Sequence, residues 1–187
     1  GEYMKKSYII GIVVVIVIIV CAMFIYSNKV SNSDDVNATE SLLVSENGVS
    51  IIVPADWIKA SSQSNESILA VANSTSKDSN GFNDINVNIE KKDISGSLES
   101  EFNSNYKSLS YNTDYQILFT GNVSGIGGQD GMEADYTSNV DGISKQHKAI
   151  WVEKDGSVYV ILCSAPQTVF SNQEKIFNAI INTFQFA

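Results

Sequence analysis

Histidine, cysteine and arginine are scarce in this chain of 187 residues, which contains one His, two Cys and no Arg. A single histidine supplies too few ligands for most histidine-based metal sites, and the chain has little choice of a base for a catalytic triad. Two cysteines cannot build a disulfide framework, and one of them, Cys21, lies in a long apolar segment. We therefore expect no cofactor, no bound metal and no enzymatic activity.

Positive charge is also in short supply. From residue 27 to the end, the chain has ten lysines against twenty acidic residues, which gives a net charge of −10. Nucleic-acid binding needs a basic surface that displaces counterions from phosphates. Nucleic acid is therefore excluded as a partner.

One long hydrophobic run stands apart from this polar background. Residues 8–26 contain no charged side chain. At about 1.5 Å of rise per residue, they are just long enough to cross a hydrocarbon core of roughly 30 Å as a helix. Lys5 and Lys6 precede the run, so the excess of lysine keeps residues 1–7 in the cytoplasm and exports everything after the run. The sequence predicts a single-pass signal anchor, with the lipid bilayer as a partner through residues 8–26.

Two processed forms compete with an uncleaved anchor. A secretory signal usually has an apolar run of about 7–15 residues and a small-residue cleavage site, whereas this run is longer and no such site follows it. A lipoprotein signal needs a small residue before the modified cysteine, whereas Val20 precedes Cys21. Length and flanks favour the uncleaved anchor, and lipidation of Cys21 stays open.

The beginning of the chain points to a bacterial source. Gly1, Glu2 and Tyr3 are what a bacterial ribosome-binding sequence would encode if it were translated in frame with Met4. The hypothesis is that Met4 is the initiator. The nucleotide sequence upstream of its codon tests this.

After the apolar run the composition changes twice. Residues 27–40 are polar and lack aromatic residues, which is typical of a flexible tether. Residues 41–187 have the patterning of a globular domain, with hairpin turns predicted at Asn47-Gly48, Asp141-Gly142 and Asp155-Gly156.

The first half of this domain predicts a series of strands. One strand ends at Pro54, and Trp57 follows it in an exit loop. Further strands are expected at 68–72, 82–90 and 115–122. In the second of these, the alternating polar residues are expected to face solvent, and they are Asn86, Asn88 and Glu90.

The two Asp-Gly turns also predict which residues lie opposite one another. Two-residue turns at these positions pair Tyr136 with His147 and Asp135 with Lys148. They also pair Trp151 with both Met132 and Val160. The strand 158–163 is apolar on both faces, so we expect both to be covered.

Two helices are available to cover this sheet. Ser97 is placed to cap a helix with one apolar face, formed by Leu98, Phe102, Tyr106 and Leu109. A capping box at 171–174 predicts the start of the last helix, whose buried stripe is Phe177, Ile180, Ile181 and Phe184. The fold class is therefore α+β, with a central, mainly antiparallel sheet flanked by helices.

The order of these motifs resembles the PsbP-like superfamily, which includes bacterial envelope proteins of the DcrB and LpqN types. The similarity lies in Pro54-x-x-Trp57, Ile126-Gly127-Gly128 followed by Ala134-x-Tyr136, Gly156-x-x-Tyr159, and Thr183-Phe184-Gln185-Phe186. It covers about residues 41–186. The resemblance implies an α/β/α sandwich, usually non-enzymatic and usually anchored in the bacterial envelope. It implies no particular partner.

Several residues were weighed for chemistry. The glycine-rich stretch 125–131 precedes an alternating strand rather than a helix, so a β-turn is favoured over a phosphate loop. His147 is expected to be an ordinary sheet residue, and Cys163 an inert buried thiol. A cation site is conceivable at Asp130, Glu133 and Asp135, but Lys148 opposite Asp135 favours a surface ion pair.

We expect a membrane-anchored, extracytoplasmic module without enzymatic activity that binds another protein of the cell envelope. Its location would be the cell membrane of a Gram-positive-type bacterium, with the N-terminus cytoplasmic and the C-terminal domain extracellular. Two alternatives stay open. One is a small-molecule or solute-sensing domain with a cleft between sheet and helix. The other is an envelope hydrolase, which is disfavoured because no nucleophile, base and acid emerge together.

Overall fold

The computed structural model describes residues 24–25 and 41–187. These residues form eleven strands and two helices. In chain order they are β1 (Phe24–Ile25), β2 (Ser41–Glu46), β3 (Val49–Pro54), β4 (Trp57–Ser61), β5 (Ser67–Asn73), β6 (Asn86–Asp93), α1 (Leu98–Ser110), β7 (Tyr115–Ile126), β8 (Gln129–Val140), β9 (Ile143–Lys154), β10 (Ser157–Pro166), α2 (Phe170–Asn182) and β11 (Gln185–Phe186).

Most of the predicted membrane span lies outside the described residues, as does the tether of residues 27–40. Near the end of the span, Phe24 and Ile25 pair with Ser61 and Ala60 of β4, so these two residues are extended rather than helical. In the part of the chain that the structure describes, no helix combines the length and apolarity needed to span a membrane.

The strands form two antiparallel sheets. The large sheet has the order β1-β4-β5-β6-β10-β9-β8-β7, and the small sheet has the order β11-β3-β2. Helix α1 packs on one face of the large sheet, while α2 and the small sheet pack on the other. This arrangement is the predicted α+β fold with a central antiparallel sheet between helices.

The two faces of the large sheet have different cores. The α1 face is aromatic, and Trp151 anchors the helix by donating its indole N–H to the Tyr106 hydroxyl at 2.9 Å. The α2 face is mostly aliphatic, with a row of phenylalanines contributed by α2 and the segment after it: Phe170, Phe177 and Phe184. Strand β10 lies between the two cores, which confirms that both of its faces are covered.

The predicted register of the long strands is confirmed. Tyr136 lies opposite His147, Asp135 opposite Lys148, and Trp151 opposite Val160. The turn residues Asp141 and Asp155 have φ of 52° and 51°, each followed by a glycine with φ of 78°. Positive φ at both central positions defines the turn that matches the twist of a β-hairpin.

Three strand predictions were wrong in their bounds. Trp57 does not lie in a loop but begins β4, because its indole is buried edge-on against the ring of Phe177. Strand β6 starts at Asn86 rather than at residue 82. It follows a loop in which the side-chain amide of Asn83 donates a hydrogen bond to the Asn73 carbonyl oxygen. Strand β7 continues to Ile126, four residues beyond the predicted end.

The last helix also begins earlier than its capping box predicts. Its N-cap is Val169, which makes no side-chain hydrogen bond, and Ser171 lies inside the first turn. Phe170 is buried and packs against Phe177. Burying an aromatic ring stabilises the fold by more than the roughly 1 kcal/mol that a polar N-cap contributes.

Gly131 allows a close approach between β8 and β9. It is a strand residue opposite Val152, and an added Cβ would clash with the Trp151 carbonyl oxygen. We expect Gly131→Ala to lower the free energy of unfolding by about 1–3 kcal/mol, since this clash is with backbone. Chemical denaturation measures the change.

Gly96→Ala is the matched control, because nothing lies within 4 Å of the Cβ it would add. It should change the stability by no more than about 0.5 kcal/mol. Equal stabilities for the two variants would contradict the close approach at Gly131.

Candidate functional site

His147 is held in a buried chain of hydroxyl groups. Its Nε2 lies 2.9 Å from the Ser138 hydroxyl, its Nδ1 lies 2.7 Å from the Ser164 hydroxyl, and its ring stacks on Tyr136. Burial, with a smaller effect of the Lys145 charge, lowers the pKa of the imidazole to about 3, so the ring is neutral. A neutral imidazole donates to one hydroxyl and accepts from the other.

This chain pairs a histidine with two serines, which sequence reasoning did not foresee. The ring and both hydroxyl residues are no more than 2% exposed, so water and substrate do not reach them in this structure. Asp135 lies on the opposite face of the sheet and cannot orient the ring. The expected position of His147 opposite Tyr136 is confirmed, and the surroundings are those of a satisfied core histidine.

The polar residues of β6 were expected to face solvent, and this expectation is wrong. Asn86, Asn88 and Glu90 are at most 3% exposed and lie on the face of the sheet that α1 covers. Asn88 accepts from the Ser67 hydroxyl at 2.6 Å and donates to Glu90 Oε1 at 3.0 Å. Alternation identified the correct face, but sequence alone could not show that this face is covered.

Glu90 is the most perturbed acid of this buried row. Desolvation, and then the neighbouring Glu66, raise the pKa of its carboxyl to about 7. Its Oε2 has no hydrogen-bond partner, and the same is true of Asn86 Oδ1 and of the Asn105 amide nitrogen on α1. Glu90 is therefore partly protonated near neutral pH.

A second polar cluster lies on the opposite face, around Lys148. Its ammonium group is 2.9 Å from Glu133 and 3.3 Å from Glu174 on α2, and the lysine side chain is 9% exposed. The expected surface pair with Asp135 was wrong, because α2 covers the lysine and supplies a carboxylate of its own. Burial raises the pKa of Asp135 to about 6, although Lys148 opposes this rise.

The residues considered for a cation site are not brought together. Glu133 and Asp135 lie beside Lys148, whose ammonium group occupies the place a cation would take, while Asp130 is exposed at the start of β8. Among the described residues, no group of three His, Cys, Asp or Glu is arranged to hold a metal ion.

The remaining sequence candidates are turn and core residues. Gly127 and Gly128 form the β7–β8 turn, with φ of 57° and 78°, and β8 follows directly, as expected for a hairpin rather than a phosphate loop. Cys163 is fully buried, and burial raises the pKa of its thiol. The Cys163 prediction is confirmed.

A cleft borders the Lys148 cluster. Its volume is about 350 Å³, and it opens between α2 and the strands β7 to β9. Glu133 and Lys148 supply its charged groups, and the rest of the lining is apolar or neutral polar: Val123, Ser124, Ile126, Ile150, Asn178, Ile181 and Asn182. A small polar molecule with apolar parts fits such a lining.

Two apolar surfaces are exposed. On β7, the last strand of the large sheet among the described residues, Leu118 and Phe119 are 49% and 52% exposed. A groove of about 320 Å³ runs between β3 and α2, next to the exposed side chains of Leu43 and Ile52. Sequence reasoning missed both surfaces, although the absence of charge in β7 was a visible signal.

Comparison with known proteins shows the fold. No protein-family model and no curated protein matches the chain. The solution structure of cyanobacterial PsbP (CyanoP) from Synechocystis sp. PCC 6803 superposes with a TM-score of 0.59 at 13% identity, covering 84% of this chain and 98% of that one. LpqN of Mycobacterium tuberculosis, a protein involved in cell envelope biogenesis, gives a TM-score of 0.56 at 14% identity, covering 79% and 91%.

The chain therefore has a PsbP-like fold, which is the fold that the resemblance in its sequence implies. Identities this low establish the architecture and leave the function to be argued from the chain's own surfaces.

Replacing Glu90 should reveal its raised pKa. In the unfolded chain the Glu90 carboxyl loses its proton near its ordinary pKa of 4.5, whereas in the folded protein it keeps the proton up to a pH of about 7. The free energy of unfolding should therefore fall as the pH rises from 4.5 through about 7. We expect Glu90→Gln to be more stable than the parent by about 1–3 kcal/mol near pH 8 and no more stable near pH 4. Denaturant titrations at the two pH values test this.

Glu99→Gln is the control for that experiment. It removes the same charge from an exposed position in the first turn of α1. A Glu90→Gln variant with the same pH dependence as the parent would show that the carboxyl is solvated and ordinary.

Proposed function

We propose that the chain is a membrane-anchored, extracytoplasmic binding module of the bacterial cell envelope that recognises a protein partner and catalyses no reaction. One observation carries the proposal, namely the exposed edge strand β7. It is twelve residues long, contains no charged residue, and presents Leu118 and Phe119 to solvent. An extended segment of a partner can add to such an edge through main-chain hydrogen bonds.

The location in the envelope rests on separate support. The apolar run 8–26 with lysines before it is long enough for an anchor. The domain that follows shares its fold with LpqN, a protein involved in cell envelope biogenesis. An N-terminus in the cytoplasm and an exported domain are part of this proposal.

The absence of catalysis is supported by the burial of His147 and its two serines. An envelope hydrolase would need this group to be open to solvent and to have an orienting carboxylate, whereas within residues 41–187 the group is buried and Asp135 lies on the opposite face of the sheet.

A second candidate function is solute sensing. The cleft beside Lys148 favours this function, because its lining combines the lysine ammonium group, a carboxylate and amide side chains with apolar side chains. A solute that raises the melting temperature of the parent, but not of a Lys148→Met variant, would support this function.

Site-specific photo-crosslinking in cells tests the protein-binding proposal. A benzoylphenylalanine placed at Leu118 of the full-length chain should form a reproducible adduct with an envelope protein, whereas the same probe at Leu43, which is 70% exposed on β2, should not. Adding Phe119→Lys should reduce the adduct about tenfold, the effect of a loss of roughly 1.4 kcal/mol in binding.

Phe119 is half exposed, so its replacement should leave the melting temperature close to that of the parent, and this is checked in parallel. Equal adducts from Leu118 and Leu43, or no adduct from either, would refute recognition through β7.

A further inference from the structure

The groove between β3 and α2 is mostly apolar, and its volume is about 320 Å³. Its apolar lining includes Ile52, Ile176 and Ala179, and Lys175 is the one charged residue among the described residues that line it. Beside the groove, Leu43 lies directly opposite Ile52, and the two side chains are 70% and 40% exposed. The groove and these two side chains together are named the apolar face below.

The hydrogen bonds between β3 and α2 use groups that a bound peptide would need. The main-chain N–H of Ile52 donates to the Thr183 hydroxyl at 2.8 Å, and this hydroxyl donates to the Ile180 carbonyl at 2.7 Å. A peptide lying in the groove would bury N–H and C=O groups of its own without partners, which is unfavourable. Lipid has acyl chains without hydrogen-bonding groups, so it fits this lining better than a peptide does.

The apolar face lies on the side of the domain that is connected to the predicted anchor. Phe24–Ile25, near the end of the long apolar run, pairs with β4, and Lys59 of β4 lies 3.9 Å from Glu46 of β2. Ser41, where β2 begins, itself lines the groove. A tether with the length and composition of residues 27–40 spans about 20 Å on average, roughly half the diameter of a domain of this size. The surface around β2 is therefore held nearest to the anchor.

Charge distinguishes the apolar face from most of the exported part. From residue 27 onward the chain has twenty acidic residues against ten lysines, so most of the domain is repelled by anionic headgroups. None of the described residues that line the groove is acidic, and Lys175 adds a positive charge there. The neighbouring Glu174 is paired with Lys148 at 3.3 Å. A bilayer can therefore approach the domain from this side.

We propose that the apolar face docks on the phospholipid bilayer that holds the anchor, with Leu43 and Ile52 inserted into it and Lys175 beside the lipid phosphates. This inference rests on the membrane anchor of the proposed function. Apolar side chains at such an interface lie roughly 5–10 Å deep, at the boundary between headgroups and acyl chains. Strand β7 lies at the opposite end of the large sheet from β4, so docking leaves it open to a protein partner.

Fluorescence quenching in vesicles tests docking of the full-length chain. In a Cys21→Ser background, Leu43→Cys supplies one reactive thiol, because Cys163 is fully buried. This thiol is labelled with nitrobenzoxadiazole, and the protein is reconstituted in vesicles of equimolar phosphatidylglycerol and phosphatidylcholine whose acyl chains carry a nitroxide. We expect the nitroxide to quench most of the emission and dissolved iodide to quench little, since docking places the probe among the lipids.

Two controls are matched to this experiment. The same probe at Tyr111→Cys, a position 75% exposed at the end of α1 on the other face of the large sheet, should be quenched by iodide and not by the nitroxide. With the probe at residue 43, Lys175→Glu should lower the ratio of docked to free domain about fivefold, the effect of a loss of roughly 1 kcal/mol. Lys107→Glu makes the same charge change at an exposed position of α1 and should leave the ratio unchanged.

The outcomes separate docking from the anchor itself. If the chain stays with the vesicles after an alkaline wash, but the nitroxide quenches the Leu43 probe no more than the Tyr111 probe, docking is refuted and the anchor stands. Exclusion of iodide from the Leu43 probe without nitroxide quenching would show that a second copy, and not lipid, covers the face. If the wash releases the chain, both the anchor and the docking are wrong. Equal effects of Lys175→Glu and Lys107→Glu would refute the contact of Lys175 with phosphates.

Discussion

The register between β8, β9 and β10 is the constraint on which the rest of the domain depends. Two left-handed Asp-Gly turns set it, and each leaves only one way to pair the strands that it joins. Because side chains alternate between faces, a slip of β9 by one residue would exchange the two faces of that strand. Trp151 would then point away from α1, and Lys148 would enter the aromatic core.

This register also explains why the polar groups around His147 and around Lys148 do not meet. His147 and Lys148 are neighbours in sequence, yet one faces α1 and the other faces α2. The first is neutral and satisfied by two hydroxyls, whereas the second is charged and compensated by carboxylates from β8 and α2. A sheet one residue thick therefore separates the neutral imidazole from the Lys148 ion pairs.

Local sequence was sufficient wherever a short-range rule determines the structure. Turn residues gave the hairpin register, and Ser97 gave the start of α1. Apolar spacing gave the buried residues of α2 from Phe177 to Ile181, whereas Phe184, expected on the same helix, is buried beyond its end. Prediction failed where contacts between distant parts of the chain determine the structure. Asn88 and Glu90 are buried beside the segment of Ser64 to Ser67, which is distant in sequence, and α2 starts at Phe170 because that ring packs into the core. No periodicity within β6 or at residues 171–174 contains that information.

The same distinction applies to the candidate binding surface. The sequence shows that β7 contains no charged residue, and only the topology reveals that, among the described residues, no strand pairs with its outer side. Charge alone does not distinguish an edge strand from an interior one, since β4, β6, β8 and β9 carry charge and each has a neighbour on both sides. A neutral edge strand without lysine or proline lacks two of the usual protections against pairing with another chain, and this is why β7 carries the proposal of a protein partner.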